Sequence, residues 1–363
     1  MESKGPFAGL TALLRGWLPG RRRDPEPSPL PAPAGAEPAG PAPSAQGVQA
    51  TDERADLRLR ATLADASREL WLHALGAPAA AAASPQLLEP LRSAVRSVLE
   101  GELVERHFPR RPMLMPQLMS VVRDPTAAAT RLAEIIAQDP VLTGNVLRLA
   151  NSVWYRATQE PVETLQRAVI TCGTDGLQSL ATLSLMQPVF RGEAGAFARL
   201  PQLLWERTTR AALAADLYAQ RACPAERHSA QLLVLLRALG PLVVFRILDE
   251  HYRTQSVARD AACSATLLVE FGARTAARIA TQWASSERIC AVLADLDADD
   301  RHRTVDEVQM HMATAVAAGE LLGTISVLMS ERAWSSADGL AKAGETGMPR
   351  EWMLATLTRL VRE

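Results

Sequence analysis

Aromatic side chains are scarce in this 363-residue chain, at 4% of positions, while Ala and Leu are abundant. An interior with few rings must be filled by small and branched side chains, a composition that favours packed helices. Cysteine is also sparse. Cys172, Cys223, Cys263 and Cys290 lie far apart with no CxxC pair, which excludes a disulfide framework and predicts reduced thiols in a cytoplasmic protein. Neither sign of charge is in excess: 39 Lys and Arg face 40 Asp and Glu, for a formal net charge of −1. No general attraction to nucleic acid or to an anionic membrane follows, and no nucleic-acid partner is expected. No uninterrupted apolar run approaches the ~20 residues of a membrane-crossing helix, so the chain is expected to be soluble.

Enzyme signatures are missing as well. There is no GxxxxGK[ST] loop, no GxGxxG opening a helix after a strand, and no GxSxG nucleophile turn. Six histidines occur, at 73, 107, 228, 251, 302 and 311, and none is followed by Asp. Cys223 and His228 stand five residues apart with no third group to orient them, which is a chance pairing rather than a nucleophile and its base.

What is present is organised by punctuation. Residues 19–50 are rich in Pro, Ala and Gly and begin with Arg21, Arg22 and Arg23. Such a segment buries too little apolar surface to offset its ordering entropy, so it is expected to be a disordered linker. Ahead of it, Phe7, Leu10, Leu13, Leu14, Trp17 and Leu18 would form one apolar stripe on a helix. The segment 1–18 therefore has the pattern of an amphipathic element that docks a partner or a membrane surface through residues 7–18, or of a frayed tail. Its basic residues follow the stripe, which argues against a signal peptide.

Helical spacing continues through accessory helices at 51–75, ended by Gly76, and at 85–106. Two Asp-Pro pairs then start helices. Asp124 and Asp139 are suited to cap, with Pro125 and Pro140 at the first helical positions, where a missing amide costs nothing. Apolar residues follow at the right spacing: Leu132, Ile135 and Ile136, then Leu142, Val146 and Leu149. Gly173 should stop the next helix, and Thr174 can cap its successor. Beyond 190, helices are predicted at 200–221, 226–252, 256–272, 274–295, 304–331 and 349–362. LVVF (242–245) is the only strand-like run and lies inside a helical pattern. The fold class is all-α.

The wording QDPVLTGNVLRLANS, followed by a short loop, PVETLQRAVITCG and a Leu-rich helix, resembles the HDOD family (HD-related output domain) of bacterial signalling proteins. The resemblance covers about 107–320 and is strongest over 112–190. It implies a multi-helix domain with an N-terminal helical subdomain (107–192) packed on a degenerate HD-like subdomain (200–320), and a C-terminal helical extension at 321–363. HD-type phosphohydrolases hold divalent metal with His residues and an adjacent His-Asp pair. Where the HD-like half of the family reads LLHDIG, this chain reads LLRALG, placing Arg237 and Ala238 at those positions. The Trp-x-His-Ser of the family corresponds to Trp205, Glu206, Arg207 and Thr208. Guanidiniums repel a divalent cation, so neither metal nor cofactor is expected, and the chain is expected not to be an enzyme.

The resemblance implies a regulatory output module that contacts another signalling protein. Arg148, Asn151 and Ser152, at the end of LRLANS, suit helix closure: Arg148 by reaching terminal carbonyls, the other two by side-chain bonds to backbone. With Trp154 and Tyr155 they equally outline a recognition loop from 151 to 161. Arg207 and Arg237 either line a pocket for an anion such as a cyclic dinucleotide, or point to solvent or pair with a neighbouring carboxylate, Glu206 in the case of Arg207. Surface placement is expected, because burying two guanidiniums without an evident pair of carboxylates is costly.

Overall fold

The computed structural model describes residues 45–101, 107–120, 125–152, 160–190, 199–297 and 305–361. Among them are thirteen α-helices and no strand. The segment 1–18, most of the 19–50 linker, Asp124, Trp154 and Tyr155 lie outside the described residues.

Helix α1 (Ala45–Ala74) ends where Gly76 adopts φ 75°, and the amide of Ala77 returns to the carbonyl of Leu72 at 2.9 Å. That closure satisfies carbonyls the last turn would leave unpaired. Helix α2 (Pro85–Glu100) takes Pro at its first position and buries Leu91, Val95 and Leu99. Each such side chain contributes about 1.5–3 kcal/mol when removed from water. Helix α2 stops at Gly101, several residues short of the expected end at 106.

Four helices follow: α3 (Met115–Met119), α4 (Pro125–Ala137), α5 (Pro140–Ala150) and α6 (Leu165–Met186). Oδ1 of Asp139 accepts from the amides of Val141 at 2.8 Å and Leu142 at 3.2 Å, with Pro140 opening α5. Helix α6 bends sharply at Gly173, whose φ of 72° and ψ of 176° are non-helical. The second half comprises α7 (Arg199–Ala222), α8 (Arg227–Thr254), α9 (Ala261–Gln282), α10 (Glu287–Asp297), α11 (Glu307–Ser330), α12 (Ser336–Gly344) and α13 (Arg350–Leu360).

Two expectations need correction. A helix boundary near residue 273 does not exist, because α9 runs unbroken through Gly272. Gly272 is a contact point rather than a stop: a Cβ there would meet the ring of Pro241 at 3.1 Å, and a Cβ on Gly240 would collide with the carbonyl of Gly272. Helices α8 and α9 thus cross almost backbone to backbone. The true break comes at Trp283, followed by Ala284 with φ 51°. Helix α12 was not expected; Ser335 and Asp338 form a reciprocal capping box that starts it.

The interior is largely continuous. Leu70, Trp71, Leu91 and Val95 of α1 and α2 share a core with Leu132 and Ile136 of α4, Leu180 of α6 and Leu235 of α8. A second cluster joins Leu59 and Leu63 of α1 to Leu213, Leu321, Ile325, Trp352 and Leu357. Contrary to the sequence expectation, the stretch 224–254 and helix α11 are long and apolar enough to cross a membrane by length and composition. Their most apolar windows are 83% and 94% buried among the other helices, the environment of core helices.

Candidate functional site

Arg207 is set on α7 and Arg237 on α8, and neither faces solvent as expected. Arg207 is 4% exposed and stacks on Trp71, with its guanidinium carbon 5.6 Å from the ring centre. Its Nε donates to Oγ1 of Thr324 at 2.8 Å, and its Nη2 lies 3.5 Å from Oε1 of Glu320. Arg237 donates from Nε to Oε2 of the same carboxylate at 3.0 Å and from Nη1 to the carbonyl of Leu296 at 3.5 Å. Glu206 pairs with Arg210 rather than with Arg207.

Glu320, 2% exposed on α11, is the residue that sequence reasoning missed. Its signal was a lone acid inside the apolar run AVAAGELLG. Such an acid is almost never fully buried without a partner. Burial lowers the pKa of Arg207, Glu320 raises it, and the nearby Arg237 lowers it again.

A cavity of about 340 Å³ opens beside this cluster, lined by Arg207, Arg237 and Glu320 and walled by Leu63, Trp71 and Leu268 among others. Arg60 of α1 reaches its edge, tied to Asp295 at 2.7 Å and Asp56 at 2.8 Å. Glu270, also on the wall, is held by Nε of Arg92 at 2.9 Å. Among the described residues, no group of three or more His, Cys, Asp or Glu side chains is placed to hold a metal. The thiols offer no alternative chemistry. Burial raises the pKa of Cys172 and Cys223 and pushes Cys263 up to about 11, so all three stay protonated near neutrality.

The LRLANS segment is knitted into the fold. Asn151 donates from Nδ2 to the carbonyls of Leu147 and Val162, each at 2.8 Å, and its Oδ1 accepts from the amide of Val162 at 2.7 Å. It clamps the end of α5 to the chain returning into α6. Arg148 does not reach terminal carbonyls; it donates to side-chain oxygens of Asn145 at 3.0 Å and Gln187 at 2.9 Å. Ser152 closes the helix through its backbone amide, bonded to Leu149, while its buried hydroxyl has no partner among the described residues.

The sequence description of the HDOD domain matches residues 108–298, more than half of the chain. The chain belongs to the HDOD family. The HDOD region spans α3 to α10, so Glu320 on α11 and Trp71 and Arg60 on α1 complete the cavity from outside it.

Among solved structures, an HDOD domain protein of unknown function from Geobacter sulfurreducens is similar at 19% identity and a TM-score of 0.50, covering 74% of this chain and 94% of that one. A Shewanella amazonensis protein described as a candidate metal-dependent phosphohydrolase is similar at 18% identity and a TM-score of 0.46, covering 75% and 98%. The MmoQ response regulator of Methylococcus capsulatus aligns at 18% identity and a TM-score of 0.34, covering 75% and 96%. At these identities the likeness concerns the HDOD fold. No curated protein matches the chain in sequence.

Proposed function

We propose that this HDOD protein is a non-catalytic signalling module of the cytoplasm that acts by binding another signalling protein. The observation that carries this reading is the Arg207–Glu320–Arg237 cluster. The two positions that correspond to HD-type metal ligands hold guanidiniums, and a third helix supplies the carboxylate between them. The cluster presents no metal ligand set among the described residues. What remains is recognition, in which a partner favours one arrangement of the helical halves. The surface next to Arg148 and Asn151, together with Trp154 and Tyr155 a few residues on in sequence, and the apolar residues of 7–18 are the contact regions this reading assigns.

The test pairs two measurements on the full-length protein. Affinity capture from native lysate, repeated with Trp154→Ala and Tyr155→Ala together, should recover one stoichiometric partner that the double variant loses. Phosphoester hydrolysis with added Mn²⁺, Mg²⁺ or Ni²⁺ should stay at background. Turnover accompanied by stoichiometric metal would overturn the proposal.

A second reading, a sensor for a cyclic dinucleotide or other anion at Arg207 and Arg237, has the cavity beside them in its favour. Glu320 weighs against it, since the protein's own carboxylate already occupies both guanidiniums. Calorimetric titration with cyclic dinucleotides distinguishes the two readings.

A further inference from the structure

Helix α2 lies against α9 in a parallel register that three contacts fix. The thiol of Cys263 donates to the carbonyl of Ser84 at 3.8 Å, across 179 residues of sequence. Nε of Arg92 donates to Glu270 at 2.9 Å across 178 residues, and Arg278 donates to the carbonyl of Leu99 across 179. The offset is constant along the seam, so Arg96 stands level with Arg274. Arg92 and Arg96 are one turn apart on the edge of α2, and Glu270, Arg274 and Arg278 follow at the same spacing on the edge of α9.

Charge along this seam is not balanced. Arg92 takes up both nearby acids, Glu89 and Glu270. Arg96, Arg274 and Arg278 are exposed, and none of them pairs with a carboxylate among the described residues. Arg274 lies over the Phe271 ring instead, 5.2 Å from its centre. Glu100, one turn past Arg96, makes no ion pair with them, and neither does Asp297, which shares the cavity wall with Arg274. Elsewhere Arg60, Arg131, Arg210 and Arg227 each meet a carboxylate. Like charges one turn apart disfavour a helix, so nothing internal to the fold accounts for three guanidiniums side by side.

The chemistry of the seam limits what it accepts. Guanidiniums form two-point bonds with carboxylates. Arg274 and Arg278 are about 6 Å apart along the axis, the spacing of acids one turn apart on a second helix. No large apolar side chain of 92–100 or 270–278 is exposed, so nothing is available for insertion into lipid. Nor is any aromatic ring exposed among the described residues for bases to stack on, and the balanced overall charge exerts no long-range pull on nucleic acid. Helix α2 precedes the matched HDOD region and α9 lies within it, so the seam exists only because an accessory helix docks there.

We infer that the α2–α9 seam is a docking surface for an acidic helix of a partner protein, with carboxylates repeated at one-turn spacing. Arg96, Arg274 and Arg278 receive those carboxylates. The inference rests on the partner-binding reading and adds to it a surface and the charge of the partner.

The test titrates the full-length protein, by fluorescence anisotropy, with an Ala-rich helical peptide carrying Glu at every fourth position. Saturation with a Kd below about 100 µM is expected at low salt, weakening as salt rises. Arg96→Gln with Arg274→Gln should weaken binding about tenfold or more, the loss of at least one charge-assisted pair. Arg96→Glu with Arg274→Glu should abolish it, and Arg131→Gln with Arg253→Gln should leave it unchanged. Both seam side chains are exposed, so these variants should unfold at the Tm of the parent. A peptide of the same composition with Glu scattered around the helix should bind more weakly. Equal binding of the scattered peptide, tighter binding of single-stranded DNA or phosphatidylserine vesicles, or indifference to the double variant would each overturn the inference. So would failure to saturate at about 1 mM peptide. Lysate capture is read separately. A partner captured through Trp154 and Tyr155, with peptide binding indifferent to the arginines, overturns the seam and leaves the partner reading in place. Arginine-dependent peptide binding with no captured partner does the reverse.

Discussion

Nε of Arg237 donates to Oε2 of Glu320 at 3.0 Å across 83 residues of sequence, and the other oxygen of that carboxylate faces Arg207. One buried acid thus serves a buried guanidinium and a half-buried one, and ties α7, α8 and α11 together. Removing a single member of such a cluster strands the remaining charges in a low-dielectric interior. Removing all members together need not, since the desolvation cost disappears with them.

Glu320→Gln should therefore destabilise the protein by about 3–5 kcal/mol in denaturant unfolding. The triple replacement Arg207→Met, Arg237→Met, Glu320→Leu should be far milder than the single change. A loss below about 1 kcal/mol for Glu320→Gln would show that the charges are compensated elsewhere.

Asp139→Ala should cost about 0.5–2 kcal/mol, because the amides of Val141 and Leu142 lose their acceptor at the start of α5. Thermal and urea unfolding measure it directly, and Asp139→Asn should recover most of the loss.

Gly240→Ala separates the two meanings of glycine in a helix. At a free helical site the change gains up to about 1 kcal/mol. Here the added Cβ would collide with the carbonyl of Gly272, so the variant should lose about 1–3 kcal/mol or more as α8 and α9 are forced apart. Increased stability would mean that the crossing is looser than described.

Acid should weaken the fold through His228. Burial lowers its pKa, opposed by Asp175 and Asp216 and reinforced by Arg227. A folded-state pKa below the unfolded value of about 6.5 means that the unfolded chain binds more protons in between, so stability falls as the pH drops below about 6.5. His228→Gln should flatten that part of the stability–pH curve. An unchanged slope would place the acid sensitivity in other groups.

Elemental analysis of the purified protein should find well under one equivalent of Mn, Fe, Zn, Mg or Ni, and a chelator should leave the Tm unchanged. A stoichiometric metal whose removal lowers the Tm would contradict the proposed role of the arginine cluster.

Much of the fold was legible because helix signals are local. The Pro140 start, the Gly76 stop and the apolar spacing of Leu142, Val146 and Leu149 act within a turn or two, and the corresponding helices appear. Gly272 was misread for the same reason. A glycine that ends a helix and one that admits a neighbouring backbone look alike in sequence, and only the approach of Gly240 and Pro241 tells them apart. Arg207 and Arg237 were legible as departures from the family pattern, but their surroundings were not.

Local chemistry in the sequence alone thus determined an all-α chain of the HDOD family and its principal helices. Only the tertiary structure decided that the guanidinium of Arg207 is buried and that of Arg237 half-buried beside it. Glu320 lies 83 residues beyond Arg237 on another helix, and Trp71 comes from a helix outside the matched region. Whether a buried charge or amide is tolerable depends on which groups folding brings within hydrogen-bond reach, and no local pattern encodes that distance.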